Sequence, residues 1–212
     1  MKIAIIGAGN VGGALGTNWA QKGHDIFFGV RDPNSEKAQA LLRTIGAKAR
    51  AATVADAAAS ADMIVLSTPW PATEAAIRSM GTLKGKIVLD ATNPLTRGPE
   101  GIGLEIGHAI SGGEKVQGWA AGASVFKTLN TTGFGNMANP EYKGMKSVMF
   151  VAGDDAANKP KVTKLVSELG FDVVDAGPLR NARLLEAHAM LWIDLALVRG
   201  QGRDFAFGIL RR

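Results

Sequence analysis

Three glycines, Gly7, Gly9 and Gly12, follow directly on the apolar run Ile3–Ile6 and open a helix-periodic stretch, Val11–Lys22. That spacing suits a phosphate. Gly7 permits a tight turn, Gly9 lets the backbone approach a pyrophosphate, and Gly12 lets helix lie close on strand, with the helix N-terminus facing the negative charge. Gly7, Ala8, Gly9, Asn10, Val11 and Gly12 therefore read as a dinucleotide cradle. A second strand pattern, Asp25–Val30, follows at the expected distance and runs into Arg31 and Asp32. An acid at this edge would hold the adenosine ribose and repel a 2′-phosphate, whereas a guanidinium pairs with that phosphate. Val30 and Arg31, joined by Lys37 near the next helix start, point to NADP(H). Asp32 is the ribose-reading alternative if the strand ends one residue later.

Further candidates follow the later strands, at the sheet edge where ligands bind in such folds. "LSTPWPATEA" puts Thr68 and Trp70 there, "LDATNPL" puts Asn93, and "VFKTLNTTGFGNM" puts Lys127, Thr132 and Phe134. A dehydrogenase acting on a hydroxyl needs a group to exchange its proton. His24 lies in a turn and His108 in a glycine-rich segment, neither with a companion that suggests a relay, and His188, in an apolar helix pattern, reads as a satisfied core histidine rather than a catalyst. Lys127 is a conceivable base, but a salt-bridged or phosphate-facing lysine is the better reading. Without an acid–base pair, direct hydride transfer between two cofactors is the chemistry that fits, because it needs positioning alone.

The elements that must hold these residues alternate. Strand patterns at Ile3–Ile6, Asp25–Val30, Ala47–Ala49, Met63–Ser67, Ile87–Asp90, Val125–Leu129, Ser147–Ala152 and Phe171–Asp175 are separated by helical patterns. Those helices are expected at Val11–Lys22, Ser35–Ile45, Thr53–Ser60, Pro71–Met80, Gly113–Ala121 and Ala156–Leu169. The implied fold is α/β, a Rossmann-like doubly wound, mostly parallel sheet. A small C-terminal portion adds one long helix, Arg180–Val198. Two domains are expected: residues 1–140 for the dinucleotide, and 141–212 for a second-cofactor or substrate pocket and an oligomer contact.

Composition narrows the field. The 212 residues carry a net charge of +5 from 24 scattered Lys and Arg, with a single Tyr, which argues against a nucleic-acid partner. Zero cysteines exclude thiolate metal sites, disulfides and a Cys nucleophile. The apolar run in "MKIAIIG" is too short for a signal peptide or a membrane span, so a cytoplasmic protein with no membrane partner is expected.

At the level of whole motifs the chain resembles the NADPH-dependent reductases of the deazaflavin coenzyme F420 and their bacterial dinucleotide-binding relatives. The residues that carry the resemblance are "IGAGNVGGALG", "GHDIFFGVR", "TPWPAT", "VFKTLNTTGFGNM", "VAGDD" and "LGFDVVDAGPLRNARLLE". The most specific is the last, in which "DAGPL" precedes Asn181, Arg183, Leu184 and Glu186. The resemblance implies NADP(H) along Ala8–Val11, its 2′-phosphate near Val30, Arg31 and Lys37, and Trp70 beside the nicotinamide half. It further implies a second pocket for F420 or a flavin, lined by the turn from Thr131 to Phe134, the long helix and Phe207, in a homodimer; Lys127, Met190 and Phe207 are the residues expected to line that pocket. Two other readings stand beside it. One is a small-substrate reductase of the pyrroline-5-carboxylate type, whose N-terminus looks alike but which continues into an all-helical domain. The other is an NADPH-binding sensor without turnover.

Overall fold

The computed structural model describes residues 1–99 and 101–212. Its first half alternates β1 (Lys2–Ile6), α1 (Asn10–Gln21), β2 (Asp25–Gly29), α2 (Glu36–Ile45), β3 (Ala49–Ala52), α3 (Val54–Ser60), β4 (Met63–Leu66), α4 (Trp70–Arg78) and β5 (Ile87–Asp90). A hairpin of β6 (Leu95–Gly98) and β7 (Gly101–Leu104) follows, then α5 (Gly112–Trp119), β8 (Ser124–Lys127) and the short α6 (Phe134–Ala138). Two-residue strands β9 (Glu141–Tyr142) and β10 (Met145–Lys146) precede β11 (Val148–Gly153), α7 (Lys159–Ser167) and β12 (Asp172–Asp175). A 3-10 turn, Leu179–Asn181, leads into α8 (Ala182–Ile193), whose end, Asp194–Val198, is wound as a π-helix.

Eight strands form one sheet in the order β12-β11-β8-β5-β4-β1-β2-β3. The order reverses beside β1: the chain winds outward through β2 and β3, then crosses back to β4. A crevice opens at such a reversal beyond the carboxyl ends of the strands, and the glycine turn lies there. Neighbours are parallel throughout except that β11 runs antiparallel to β8, with Ala152 opposite Lys127. Strands from both sides of residue 140 thus share one sheet.

Alternation along β1 explains the layers. Ile3 and Ile5 face one side, with Trp19, Phe28, Phe126 and Leu165, under α1 and α7. Ala4 and Ile6 face the other, with Leu66, Ile77, Val88 and Val116, under α3, α4 and α5. Buried on both faces, β1, β4 and β5 read as unbroken apolar runs rather than alternating ones.

All eight expected sheet strands and all the expected helices are present. The third strand lies later than expected, at Ala49–Ala52, because its register is set by pairing with Ile26–Gly29 and its own alanines carry little signal. The β6–β7 hairpin, α6 and the β9–β10 hairpin were not expected. They are short, and "LTRGPEGIGL" is glycine-rich enough to read as loop. No helix among the described residues is long and apolar enough to cross a membrane.

Candidate active site

Gly7 turns the chain at φ +110°, in the left-handed region that favours glycine. Its N–H donates to the Gly29 carbonyl at 3.1 Å, while Ser67 Oγ donates to the carbonyls of Ile6 (3.1 Å) and Gly7 (3.0 Å). The turn is thereby fixed to β2 and β4. A Cβ on Gly12 would fall 2.1 Å from the Gly7 oxygen and 2.8 Å from Ser67 Oγ, so α1 can start this close only without a side chain there. A Cβ on Gly9 would meet nothing within 4 Å, which leaves its backbone open to a ligand. The helix that starts here has no side-chain cap and no acid in its first turn. Free N–H groups and the positive end of a 12-residue helix make a cradle that fits a pyrophosphate.

Beside the cradle, β2 ends at Gly29, and the Val30 N–H still pairs with the Ala52 carbonyl at 3.0 Å. Arg31 is the next residue, exposed, and in no ion pair among the described residues. Asp32 is occupied locally, its carboxylate accepting the Asn34 N–H at 2.9 Å and its carbonyl the Ser35 hydroxyl at 2.8 Å. It serves the loop's own turn, which leaves Arg31 as the charge free to meet a ligand. Lys37, exposed in the first turn of α2, lines a hollow of about 520 Å³ together with Ala8, Gly9, Asn10 and Phe134.

On the opposite side of the glycine turn, a cleft of about 300 Å³ is lined by Val11, Ser67, Thr68, Pro69, Trp70, Pro71, Ala91, Thr92, Asn93 and Leu95. The structure therefore gathers Val11 from the start of α1, Thr68 and Trp70 from the β4–α4 junction, and Asn93 from the loop after β5. No charged side chain is among the lining residues. Trp70 begins α4 but is buried, with Nε1 donating to Glu105 Oε2 at 3.1 Å and its rings 5.4 Å from those of Trp119. Only part of the indole is left to face the cleft. Asn93 Nδ2 donates to the Asn130 carbonyl at 2.9 Å and Asn130 Nδ2 to Asn93 Oδ1 at 3.0 Å, which ties the loop after β5 to the loop after β8.

Lys127 does not line a pocket, contrary to expectation. It is 0% exposed, and its ammonium contacts Asp90 at 2.9 Å, Glu186 at 2.9 Å and the Thr92 carbonyl at 2.6 Å. Burial alone would lower its pKa, but Asp90 and Glu186 outweigh burial and the net shift is upward. A lysine held charged and sealed from solvent is no base. Glu186 also accepts the N–H groups of Gly112 (2.8 Å) and Gly113 (3.0 Å) at the start of α5. Arg183 grips Glu114 through two bonds of 2.9 and 2.6 Å, the main cause of a Glu114 pKa held down at about 2. Asn181 Nδ2 donates to the Ala176 carbonyl at 2.6 Å. The Asn-x-Arg-Leu-x-Glu motif is thus the lock that seats α8 against α5 and the sheet.

The remaining candidates sit around α8. Thr132 Oγ1 accepts from Asn136 Nδ2 at 2.7 Å, and that same amide donates to the Phe205 carbonyl at 2.6 Å. Trp192 Nε1 donates to this carbonyl as well, at 2.9 Å, and stacks on Phe205 with centroids 5.4 Å apart. The loop carrying Thr132 and Phe134 is therefore fastened to segment 205–207. Phe207 faces a groove of about 640 Å³ bounded by Tyr142, Met145 and Phe171, while Met190 is half-buried on α8. With Lys127 sealed away, the three residues expected to line the second pocket do not surround one cavity.

Nor do the histidines offer a relay. His188 packs edge-on between Phe150 (5.6 Å) and Phe207 (4.6 Å), and burial lowers its pKa. His24 does have a companion, contrary to expectation, because Nε2 lies 2.6 Å from Glu168. His24 precedes β2 and Glu168 caps the end of α7, so the pair lies at the edge of the sheet opposite the cradle.

The family model for coenzyme F420-dependent NADP oxidoreductases matches residues 2–94, the part that carries the cradle and all of the cleft lining but Leu95. The F420-dependent NADP reductase of Methanothermobacter thermautotrophicus is 30% identical, over 92% of this chain and 89% of that protein. This chain belongs to that family. The F420-dependent NADP reductase of Methanothermobacter marburgensis is 27% identical over 92% of both chains. A solved structure of a candidate F420-dependent NADP reductase from Arthrobacter sp. FB24 covers 100% of both chains at 34% identity, with a TM-score of 0.91.

As a member of the F420-dependent NADP oxidoreductases, the chain is an NADP-dependent oxidoreductase, and the uncapped start of α1 and the free Arg31 fit that cofactor. NADP(H) supplies the hydride or receives it; the protein supplies binding and orientation. Sequence reasoning overlooked Asp90, Thr92 and the pairing role of Glu186. The signal was available in the register, since Asp90 and Lys127 are partners in neighbouring strands and each ends an apolar run with an opposite charge.

Proposed function

We propose that the protein passes hydride between NADP(H) and a deazaflavin of the coenzyme F420 type. One observation carries the reading. The cleft beside the glycine turn is bounded by hydroxyl, amide and apolar groups and by no charged side chain. Such a wall can orient a nicotinamide ring but moves no proton, which suits a reaction that transfers hydride between two planar rings.

In this reading Gly7, Gly9, Asn10 and Val11 hold the pyrophosphate, with Ala8 and Gly12 keeping the turn and helix in contact. Val30, Arg31 and Lys37 receive the adenosine ribose and its 2′-phosphate, while Thr68, Trp70 and Asn93 border the nicotinamide half. The second ring system lies against the side bounded by Thr132 and Phe134, with Met190 and Phe207 beyond it. Residues 1–140 then serve the dinucleotide, and 141–212 supply the far wall and the contact between two copies. Exposed Leu184, Leu191 and Val198 on one length of helix give that contact an apolar stripe. The protein would act in the cytoplasm as a homodimer.

The test is NADPH oxidation followed with F420, FMN and FAD as separate acceptors. Turnover with F420 alone supports the proposal, turnover with FMN or FAD alone replaces the deazaflavin by a flavin, and no turnover with any of the three defeats the reading.

A further inference from the structure

A fully buried cluster of three charges lies directly behind the cleft, and the hydride-transfer reading does not use it. Asp90 Oδ1 accepts both the N–H (2.9 Å) and the hydroxyl (2.6 Å) of Thr92, and Asp90 Oδ2 accepts from Lys127 at 2.9 Å. Lys127 returns to the same residue, donating to the Thr92 carbonyl at 2.6 Å, and spends its last N–H on Glu186. Every polar group of Thr92 is thus held by this cluster, and Thr92 is part of the cleft wall.

The cluster spans two structures that would otherwise be independent. Asp90 and Lys127 are fixed by the pairing of β5 with β8, whereas Glu186 arrives on α8. One lysine faces two carboxylates, and the surplus negative charge is met by the N–H groups that open α5. Apolar packing would stabilise this interior at least as well as a buried ion cluster, so stability is a poor reason for keeping one. Fixed geometry is a better one.

We propose that Lys127 is a positioning residue: through Asp90 it sets the Thr92 wall of the cleft, and through Glu186 it makes that setting depend on the seating of α8. Its consequence is that the nicotinamide half of the cofactor senses the last helix while the adenosine half does not. The inference rests on the reading of this cleft as the nicotinamide site.

Glu186→Gln tests it, because the amide keeps the size of the carboxylate but has one acceptor oxygen where Gly112, Gly113 and Lys127 now share two, and the interior is left with one paired lysine and aspartate. Titration calorimetry with NADPH and with 2′,5′-ADP, which lacks the nicotinamide half, separates the two ends of the site. Affinity for NADPH is expected to fall about tenfold, with 2′,5′-ADP within about twofold of the unmodified protein. Arg183→Met loosens α8 through Glu114 while leaving the Lys127–Glu186 contact in place, so it should shift the ratio of the two affinities in the same direction by a smaller factor. An equal change of ratio in both variants, or none in Glu186→Gln, overturns the inference. If Glu186→Gln does not fold, Thr92→Ala should produce the same selective loss and Thr92→Ser should restore it; a Thr92→Ala ratio like that of the unmodified protein overturns the inference. Should the unmodified protein bind NADPH no more tightly than 2′,5′-ADP, the cleft assignment itself fails, and the positioning role with it.

Discussion

Replacing Arg31 by glutamate tests which end of the cofactor the protein reads by charge. The side chain is exposed and forms no ion pair among the described residues, so its loss should leave the unfolding midpoint unchanged. A charge-assisted contact to the 2′-phosphate contributes about 1.5–3 kcal/mol. Reversing the sign adds repulsion of about 1 kcal/mol for charges near 4 Å in water. The total, about 2.5–4 kcal/mol, corresponds to an NADPH affinity roughly 70- to 900-fold weaker. Because the site is open to solvent, the lower end is the safer expectation, and added salt should narrow the difference. NADH has no 2′-phosphate and should lose about twofold or less. Fluorescence titration of both nucleotides at fixed ionic strength measures the two losses together. Equal losses would refute the reasoning, since they would mean that Arg31 shapes the loop and does not read the phosphate.

Two further outcomes follow from the same geometry. Gly12→Ala would place a methyl group 2.1 Å from the Gly7 carbonyl oxygen, so α1 must lift off the turn. That should cost about 1–3 kcal/mol in thermal unfolding and weaken NADPH and NADH alike; an unchanged melting temperature would contradict the packing described. The Glu114–Arg183 pair predicts acid sensitivity, because the Glu114 pKa is held at about 2 against an ordinary 4.5. A lowered folded-state pKa contributes stability that is complete above pH 4.5 and is lost as the pH falls towards 2. Urea unfolding from pH 2 to 6 should show this slope, and Arg183→Met should flatten it.

The glycine turn and the exposed Arg31 beside it were legible because their geometry is local. Gly7, Gly9 and Gly12 do their work within one turn, and Arg31 follows the strand that presents it. Parallel strands buried on both faces also announce themselves as apolar runs, which is why the order of elements could be read directly. Lys127 could not be placed this way. Whether a lysine after a strand meets solvent, phosphate or a carboxylate depends on Glu186, 59 positions later, and on how α8 docks. The histidine at position 24 misled for the same reason: its partner, Glu168, is close only after the sheet is assembled. For Met190 and Phe207, half-buried apolar residues, the sequence pattern could say that they face something but not that Phe207 lines a groove with Phe171 in which Met190 has no part.

The reversed direction of β11 has a consequence in time as well as in space. Since β11 starts at the ligand edge and runs away from it, α8 must run back towards that edge, and it delivers segment 205–207 to the loop that carries Thr132 and Phe134. During synthesis the nucleotide cradle can therefore form from residues that emerge well before segment 205–207, which fastens the opposite wall. A chain still on the ribosome has the materials to hold a dinucleotide but not to finish the chamber around it.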